Sequence, residues 1–224
     1  MSADPTTLWS QIRRAAGGDR AALEDLSARY WSSVYAYLRA SGRDPETARD
    51  LTQAFFVDLL DHEFFSRARP EHGRFRSYLF AALRFFLSDE HDRSTALKRG
   101  GGRKVLSLDF DRGERSIDPA ATDDPSRAYE REWALQVLQD AFERLKKEAT
   151  PAVYEAFRAA RPGRSHADVA GELGITEQEV ANRLRRARVR LRELLIEELR
   201  LSVDDPADVE QELADLFRIL SRNP

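Results

Sequence analysis

Apolar residues in this chain recur at intervals of three and four along almost its whole length, and alternate at intervals of two almost nowhere. A period near 3.6 marks helices buried on one face, whereas a half-buried strand needs a period of two. From Asp19 to Ala40 the series is Leu23, Leu26, Tyr30, Val34, Tyr37 and Leu38. Gly42 and Pro45 in "SGRDP" break it. Asp44 then reads as an N-cap with Pro45 at the first helical position. The helix that follows, "ETARDLTQAFFVDLLDHEFF", turns Leu51, Phe55, Leu59 and Leu60 inward. After Pro70 and Gly73 a third helix is expected from about Phe75 to Arg93. The one strand-like run is "KVLSLDF" at 104–110.

Residues 97–127 read as a linker, with glycines at 100–102, Pro119, Pro125 and scattered charges, a composition that buries little. Helices resume near Ala128, with Trp133, Val137, Leu138, Phe142 and Leu145 at helical spacing. A short helix within "PAVYEAFRAARPG" ends at Pro162 and Gly163. The expected organisation is all-α: a helical domain at 5–96, the linker at 97–127, a second helical domain at 128–200 and an acidic extension at 201–224. Hydrophobic residues make up 42%, enough for two modest cores. Cysteine is absent, which excludes disulfides and thiolate metal sites. No apolar run approaches the roughly 20 residues of a membrane span, and "MSADPTTLWS" has no signal-peptide character. A cytoplasmic protein is expected.

The net charge is only −3, yet six arginines fall in the ten positions from Arg183 to Arg192, with no acid among them. The residues just before explain the placement. Ser165 reads as an N-cap with Asp168 three residues on, and Val169, Ala170 and Leu173 face inward. Gly174 makes a tight turn, and Thr176 with Glu179 reads as a capping box opening a second helix. Val180, Leu184, Ala187, Leu191 and Leu194 continue its apolar stripe. Two helices joined by a short turn containing Gly form a helix-turn-helix. With Leu184 set at zero, Gln178, Asn182, Arg185 and Arg186 fall at roughly 100–200°. That face, near the helix start, enters the major groove in this motif. Asn and Gln can pair with adenine, and Arg with guanine or phosphate. Arg183, Arg188 and Arg190 flank the stripe, where phosphates would lie. The competing reading is a solvated helix, with Glu179 pairing Arg183 and Glu193 pairing Arg190; Arg185, Arg186 and Arg188 have weaker local options.

A second basic stretch lies between Arg74 and Lys104, with eight Lys or Arg against three acids. Phe75, Tyr78, Phe80, Phe85 and Phe86 interleave with the cations. Leu79, Ala82, Leu83, Phe86 and Leu87 form the expected buried stripe, leaving Arg76, Tyr78, Phe80 and Arg84 outward. Cations beside aromatics suit single-stranded nucleic acid, since every base offers a face for stacking. Core packing is the alternative use of the same aromatics.

Taken in order, "DPETARDLTQAFFVDLL" (44–60), "GRFRSYLFAALRFFLSDEHDR" (73–93) and "SHADVAGELGITEQEVANRLRRARVRLREL" (165–194) resemble regions 2.2, 2.3–2.4 and 4.2 of the RNA polymerase sigma factors of the sigma-70 family, extracytoplasmic-function (ECF) group. The resemblance implies promoter recognition and transcription initiation with core RNA polymerase, through its β′ clamp and β flap, and no enzymatic activity or cofactor. It implies polymerase contacts at Glu46, Asp50, Gln53 and Asp58. It implies contacts to the −10 element at Arg74, Arg76, Tyr78, Arg84 and Arg93, and to the −35 element at Gln178, Asn182, Arg183, Arg185, Arg186 and Arg188. Candidate regulators are an anti-sigma factor or a kinase. The kinase reading follows from Arg49, which interrupts the usual acidic run before "DLTQ": phosphate on Thr47 or Thr52 would restore negative charge. The chain also departs from many relatives in having Phe85 for Asn and Ala181 for a basic residue.

His62, His72, His91 and His166 are scattered without metal-ligand spacing, and no phosphate loop or catalytic triad stands out. The rival to a sigma factor is a helix-turn-helix regulator that works without polymerase; a protein-binding helical adaptor is a third reading. The extension carries Asp204, Asp205, Asp208, Glu210, Glu212 and Asp215, with Leu213, Leu216, Phe217 and Leu220 on an apolar side. It is expected either to pack on the second domain or to act as a lid that competes with DNA for the arginines.

Overall fold

The computed structural model of the chain describes residues 8, 10, 11, 14, 19–61, 74–96, 124–203 and 205–222. These form an all-α protein: α1 (Arg20–Ala40), α2 (Pro45–Asp61), α3 (Phe75–Ala96), α4 (Pro125–Glu148), α5 (Pro151–Ala159), α6 (His166–Leu173), α7 (Glu177–Arg200) and α8 (Asp208–Ser221). The segment 104–110 and most of the expected linker lie outside the described residues, as do the side chains of Leu23, Leu60 and Arg93. Two compact units emerge, one comprising 1–136 with 200–224, the other 137–199. The chain therefore leaves the first unit, builds the second and returns to the first.

In the first unit, the Asp19 carboxylate accepts the Ala22 N–H at 3.1 Å and starts α1. Leu26, Tyr30, Val34 and Leu38 are buried as their spacing requires, while Tyr37 is half-buried with its ring edge-on to Phe80. Asp44 caps α2 as expected, accepting the Glu46 and Thr47 amides at 3.1 and 3.0 Å and the Thr47 hydroxyl at 2.6 Å. The α2 core is wider than the expected stripe. Ala48, Thr52 and Phe56 join Phe55 and Leu59, and Leu51 is only half-buried. Thr52 fits there because its hydroxyl donates to the Ala48 carbonyl at 2.7 Å, so no polar atom is left unpaired. Rings knit α1, α2 and α3: Tyr30 meets Phe75 at 5.1 Å, and Phe55 meets Phe86 at 5.6 Å.

The C-terminal helix α8 belongs to the first unit, not to the second as packing on the latter domain would require. Val209, Leu213 and Leu216 are its buried apolar residues, whereas Phe217, expected inward, is exposed. The strap before it is tied down by two backbone bonds, Leu8 N–H to the Leu201 carbonyl at 2.7 Å and Phe75 N–H to the Ser202 carbonyl at 3.1 Å.

The second unit holds the helix-turn-helix. Ser165 and Asp168 make a reciprocal capping box at the start of α6. Gly174 closes it with φ +65°, the left-handed conformation that favours glycine. A Cβ there would meet nothing within 4 Å, so the backbone and not lack of space calls for glycine. Ala159, Val169, Ala170, Val180 and Leu184 form the core between α5, α6 and α7, with Phe157, Leu173 and Ile175 at its margin. The second cap differs from expectation. Thr176 accepts the Glu179 N–H at 3.2 Å, but the Glu179 carboxylate accepts from Arg183 Nε at 2.8 Å. No reciprocal bond from the Thr176 N–H to that carboxylate is seen, because the arginine one turn on is a charged donor and competes better.

Candidate nucleic-acid interface

Five of the α7 arginines fall into two sets. Arg183 is held by Glu179, and Arg190 donates to Glu148 at 3.1 Å, Glu193 at 2.8 Å and Glu197 at 3.2 Å. Hydrogen bonds donated to these carboxylates, Glu148 foremost, hold the Arg190 guanidinium above its ordinary pKa. Arg144 completes the network through Glu148, Glu197 and Glu198. This cluster ties the end of α4 to the latter half of α7. Arg185, Arg186 and Arg188 instead are exposed, and so is Gln178; Asn182 is half-buried. The two pairings expected of a merely solvated helix are present, Glu179–Arg183 and Arg190–Glu193, but they consume only Arg183 and Arg190.

Gln178, Arg185 and Arg186 lie on the side of α7 away from the buried Val180, Leu184 and Ala187, and Arg188 flanks that stripe. Val189, which the sequence reading passed over, is 53% exposed and falls at about 140° from Leu184, between Arg185 and Asn182. Its signal was available: an apolar residue opposite the stripe on an amphipathic helix. Arg164 was also missed. It donates to the Ala159 and Asp168 carbonyls at 3.1 and 3.2 Å and pairs with Glu172, fixing the loop that leads into α6.

On α3 the expected stripe of Leu79, Ala82, Leu83 and Phe86 is buried, and Leu87 is half-buried. Arg84 and Phe85 are exposed, Phe85 by 69%. Ser77, Ala81 and Ser88 share that face, small residues that leave the ring and the guanidinium accessible. Three other residues expected outward are not free surface. Phe80 packs its ring against Tyr129 at 4.9 Å and Tyr37 at 5.4 Å. Tyr78 is half-buried, and burial pushes its phenol up to about 12. Arg76 is only 7% exposed; its Nε and Nη2 donate to the two Glu212 oxygens at 2.9 and 3.1 Å. Its guanidinium also lies 4.3 Å from the centre of the Trp133 ring. Burial opposes its charge, and the Glu212 hydrogen bond and charge outweigh burial, so its pKa is raised. Arg74 is half-buried, bonded to Glu212 at 3.1 Å and paired with Asp215. The Arg93 side chain is outside the described residues.

On α2, Glu46 and Asp50 are exposed and Gln53 is half-buried, all within about 60° around the helix. Asp58 is half-buried and lies about 80° beyond Asp50. Thr47 is partly accessible, whereas Thr52 is fully buried and offers its hydroxyl to no incoming enzyme. No helix among the described residues is long and apolar enough to cross a membrane, and these residues hold no cluster of three metal-ligating side chains.

A family model described as "ECF sigma factor" matches residues 6–197. No curated protein matches the chain.

Proposed function

The chain belongs to the ECF sigma factor family, whose members act in transcription initiation, and on that premise we propose that it binds core RNA polymerase and directs it to promoters by reading two DNA elements. The exposed side of α2, with Glu46 and Asp50 foremost and Gln53 and Asp58 beside them, docks on the β′ clamp. The exposed face of α3, with Arg84 and Phe85, holds the opened −10 strand, and Arg74, Arg76, Tyr78 and Arg93 complete that site once they are accessible. The N-terminal half of α7 reads the −35 element through Gln178, Asn182, Arg185 and Arg186. Arg188 lies against phosphate, and Arg183 mainly orients the helix through Glu179. Two modest DNA contacts on one chain act as a single stronger one, because the second binds at the effective concentration set by the first.

The observation that carries the reading is the division of α7: Arg185 and Arg186, opposite the buried stripe, and Arg188 beside it stay exposed, while Arg183 and Arg190 are paired with carboxylates. Among the described residues no carboxylate pairs with Arg185, Arg186 or Arg188, an arrangement that a helix built only for solubility does not need.

In vitro transcription with core polymerase tests this. Wild type should initiate discrete transcripts. Asp50→Arg should bind duplex DNA normally yet lose core binding, and Arg186→Ala should bind core yet lose promoter selection. If wild type binds duplex DNA but starts no specific transcript with core, the protein is a helix-turn-helix regulator that works without polymerase.

A further inference from the structure

The family match ends at residue 197, and the segment that follows does something the matched part does not explain. Helix α8 presents two acids on its buried side, Glu212 at 0% and Asp215 at 7% exposure, in line with Val209, Leu213 and Leu216. Their partners are Arg74 and Arg76, at the start of α3 and 141 and 136 residues away in the chain. Glu212 receives Arg76 fork to fork and also takes Arg74 at 3.1 Å. Asp215 takes Arg74 and lies 3.5 Å from Arg76. Glu130 lies 3.7 Å from Arg76 on the other side, and the Tyr129 hydroxyl donates to the Arg76 carbonyl at 3.1 Å. The Ser202 carbonyl holds the Phe75 N–H between these two arginines.

Buried ion pairs are a poor source of stability, because desolvating the charges offsets most of their attraction, and their best-attested use is in specificity and switching. A carboxylate also offers Arg the same two parallel acceptors as a phosphate. At 7% exposure, Arg76 cannot touch a phosphate while Glu212 occupies it. We propose that α8 is an autoinhibitory clasp whose Glu212 and Asp215 stand in for DNA phosphates on Arg74 and Arg76, and which single-stranded promoter DNA displaces. This rests on the reading of α3 as the −10 element's binding helix.

The test uses the full chain and a fluorescein-labelled single-stranded oligonucleotide at low salt. Glu212→Gln with Asp215→Asn keeps side-chain size and leaves the apolar side of α8 intact. Apparent affinity scales with the fraction of molecules that are open, so this variant should bind at least about tenfold more tightly than wild type. The control pair Asp208→Asn with Glu210→Gln removes two exposed acids from the same helix and should stay within about twofold, the change left when the open fraction is untouched. A control that tightens binding as much as the buried pair would assign the effect to overall charge and overturn the clasp. In wild type, hydrogen exchange over 208–221 should accelerate when the oligonucleotide is added, a response that a purely structural ion pair would not give. Unchanged exchange together with unchanged affinity of the buried-pair variant overturns the proposal. Transcription separates it from the parent reading. Specific transcripts from wild type with no gain in the variant's oligonucleotide affinity sink the clasp alone. A tenfold gain with no transcript from either protein sinks the sigma reading and leaves the clasp.

Discussion

Salt dependence of duplex binding offers a direct check on the division of the α7 arginines. Each phosphate neutralised by a cation steepens the plot of log affinity against log salt by about 0.9. Arg183 and Arg190 already have carboxylate partners, at 2.8 Å to Glu179 and 2.8 Å to Glu193. Releasing them to DNA would leave those carboxylates behind as repulsive charges, so their contribution to the slope should be small. Arg185, Arg186 and Arg188 are exposed. Changing all three to Gln should flatten the slope by at least about 0.9 if one of them sits on phosphate, and by about 2.7 if all do. At the upper value, the affinity loss between about 50 and 200 mM salt would be roughly 40-fold smaller in the variant. Fluorescence anisotropy with any duplex of suitable length measures this, because the electrostatic part of binding is independent of sequence. Arg183→Gln with Arg190→Gln is the comparison. If that pair flattens the slope as much as the triple change, or if the triple change leaves it unaltered, the assignment of exposed arginines to DNA is wrong.

Three further outcomes follow from local geometry. Gly174→Ala should cost about 1 kcal/mol in urea unfolding, the penalty for a left-handed residue alone; a much larger loss would mean that the turn is more crowded than it is here. The Asp168 carboxyl is held below its ordinary pKa by the Ser165 hydroxyl and N–H. It thus favours folding fully above the usual Asp range and ceases to do so as pH falls through its lowered value. The difference in urea midpoint between wild type and Asp168→Ala should accordingly be largest near neutrality and shrink in acid; a difference that grows in acid would contradict the cap. Phe85→Ala should leave the urea midpoint unchanged, since the ring is 69% exposed. The same change should weaken single-strand binding by about 1–3 kcal/mol, the value of one stacked base, and equal oligonucleotide affinity would exclude Phe85 from the interface.

The helix-turn-helix was legible because its signals are local. Ser165, Asp168, Gly174 and Thr176 each act on backbone groups within a few residues, so their roles follow from spacing alone. The α2 start was legible for the same reason, through Asp44. Arg76 was misplaced because nothing near it in the chain announces its partner: an arginine beside Phe75 and Tyr78 reads as outward until Glu212 is known to approach it. Thr52 looked accessible because its satisfaction by the Ala48 carbonyl costs no sequence signature. The inward direction of Glu212 was equally hidden, since an acid on an amphipathic helix is placed in water by default and only a distant cation overrides that.

The order in which the chain visits its two units has a consequence during synthesis. The strap at 201–203 and helix α8 join the first unit only after the whole of 137–199 has been translated. At roughly 5–20 residues per second, that intervening stretch takes about 3–13 s to make. Through that interval neither Glu212 nor Asp215 exists to meet Arg74 and Arg76, and of the groups that contact the Arg76 guanidinium only Glu130 and Trp133 have yet been made.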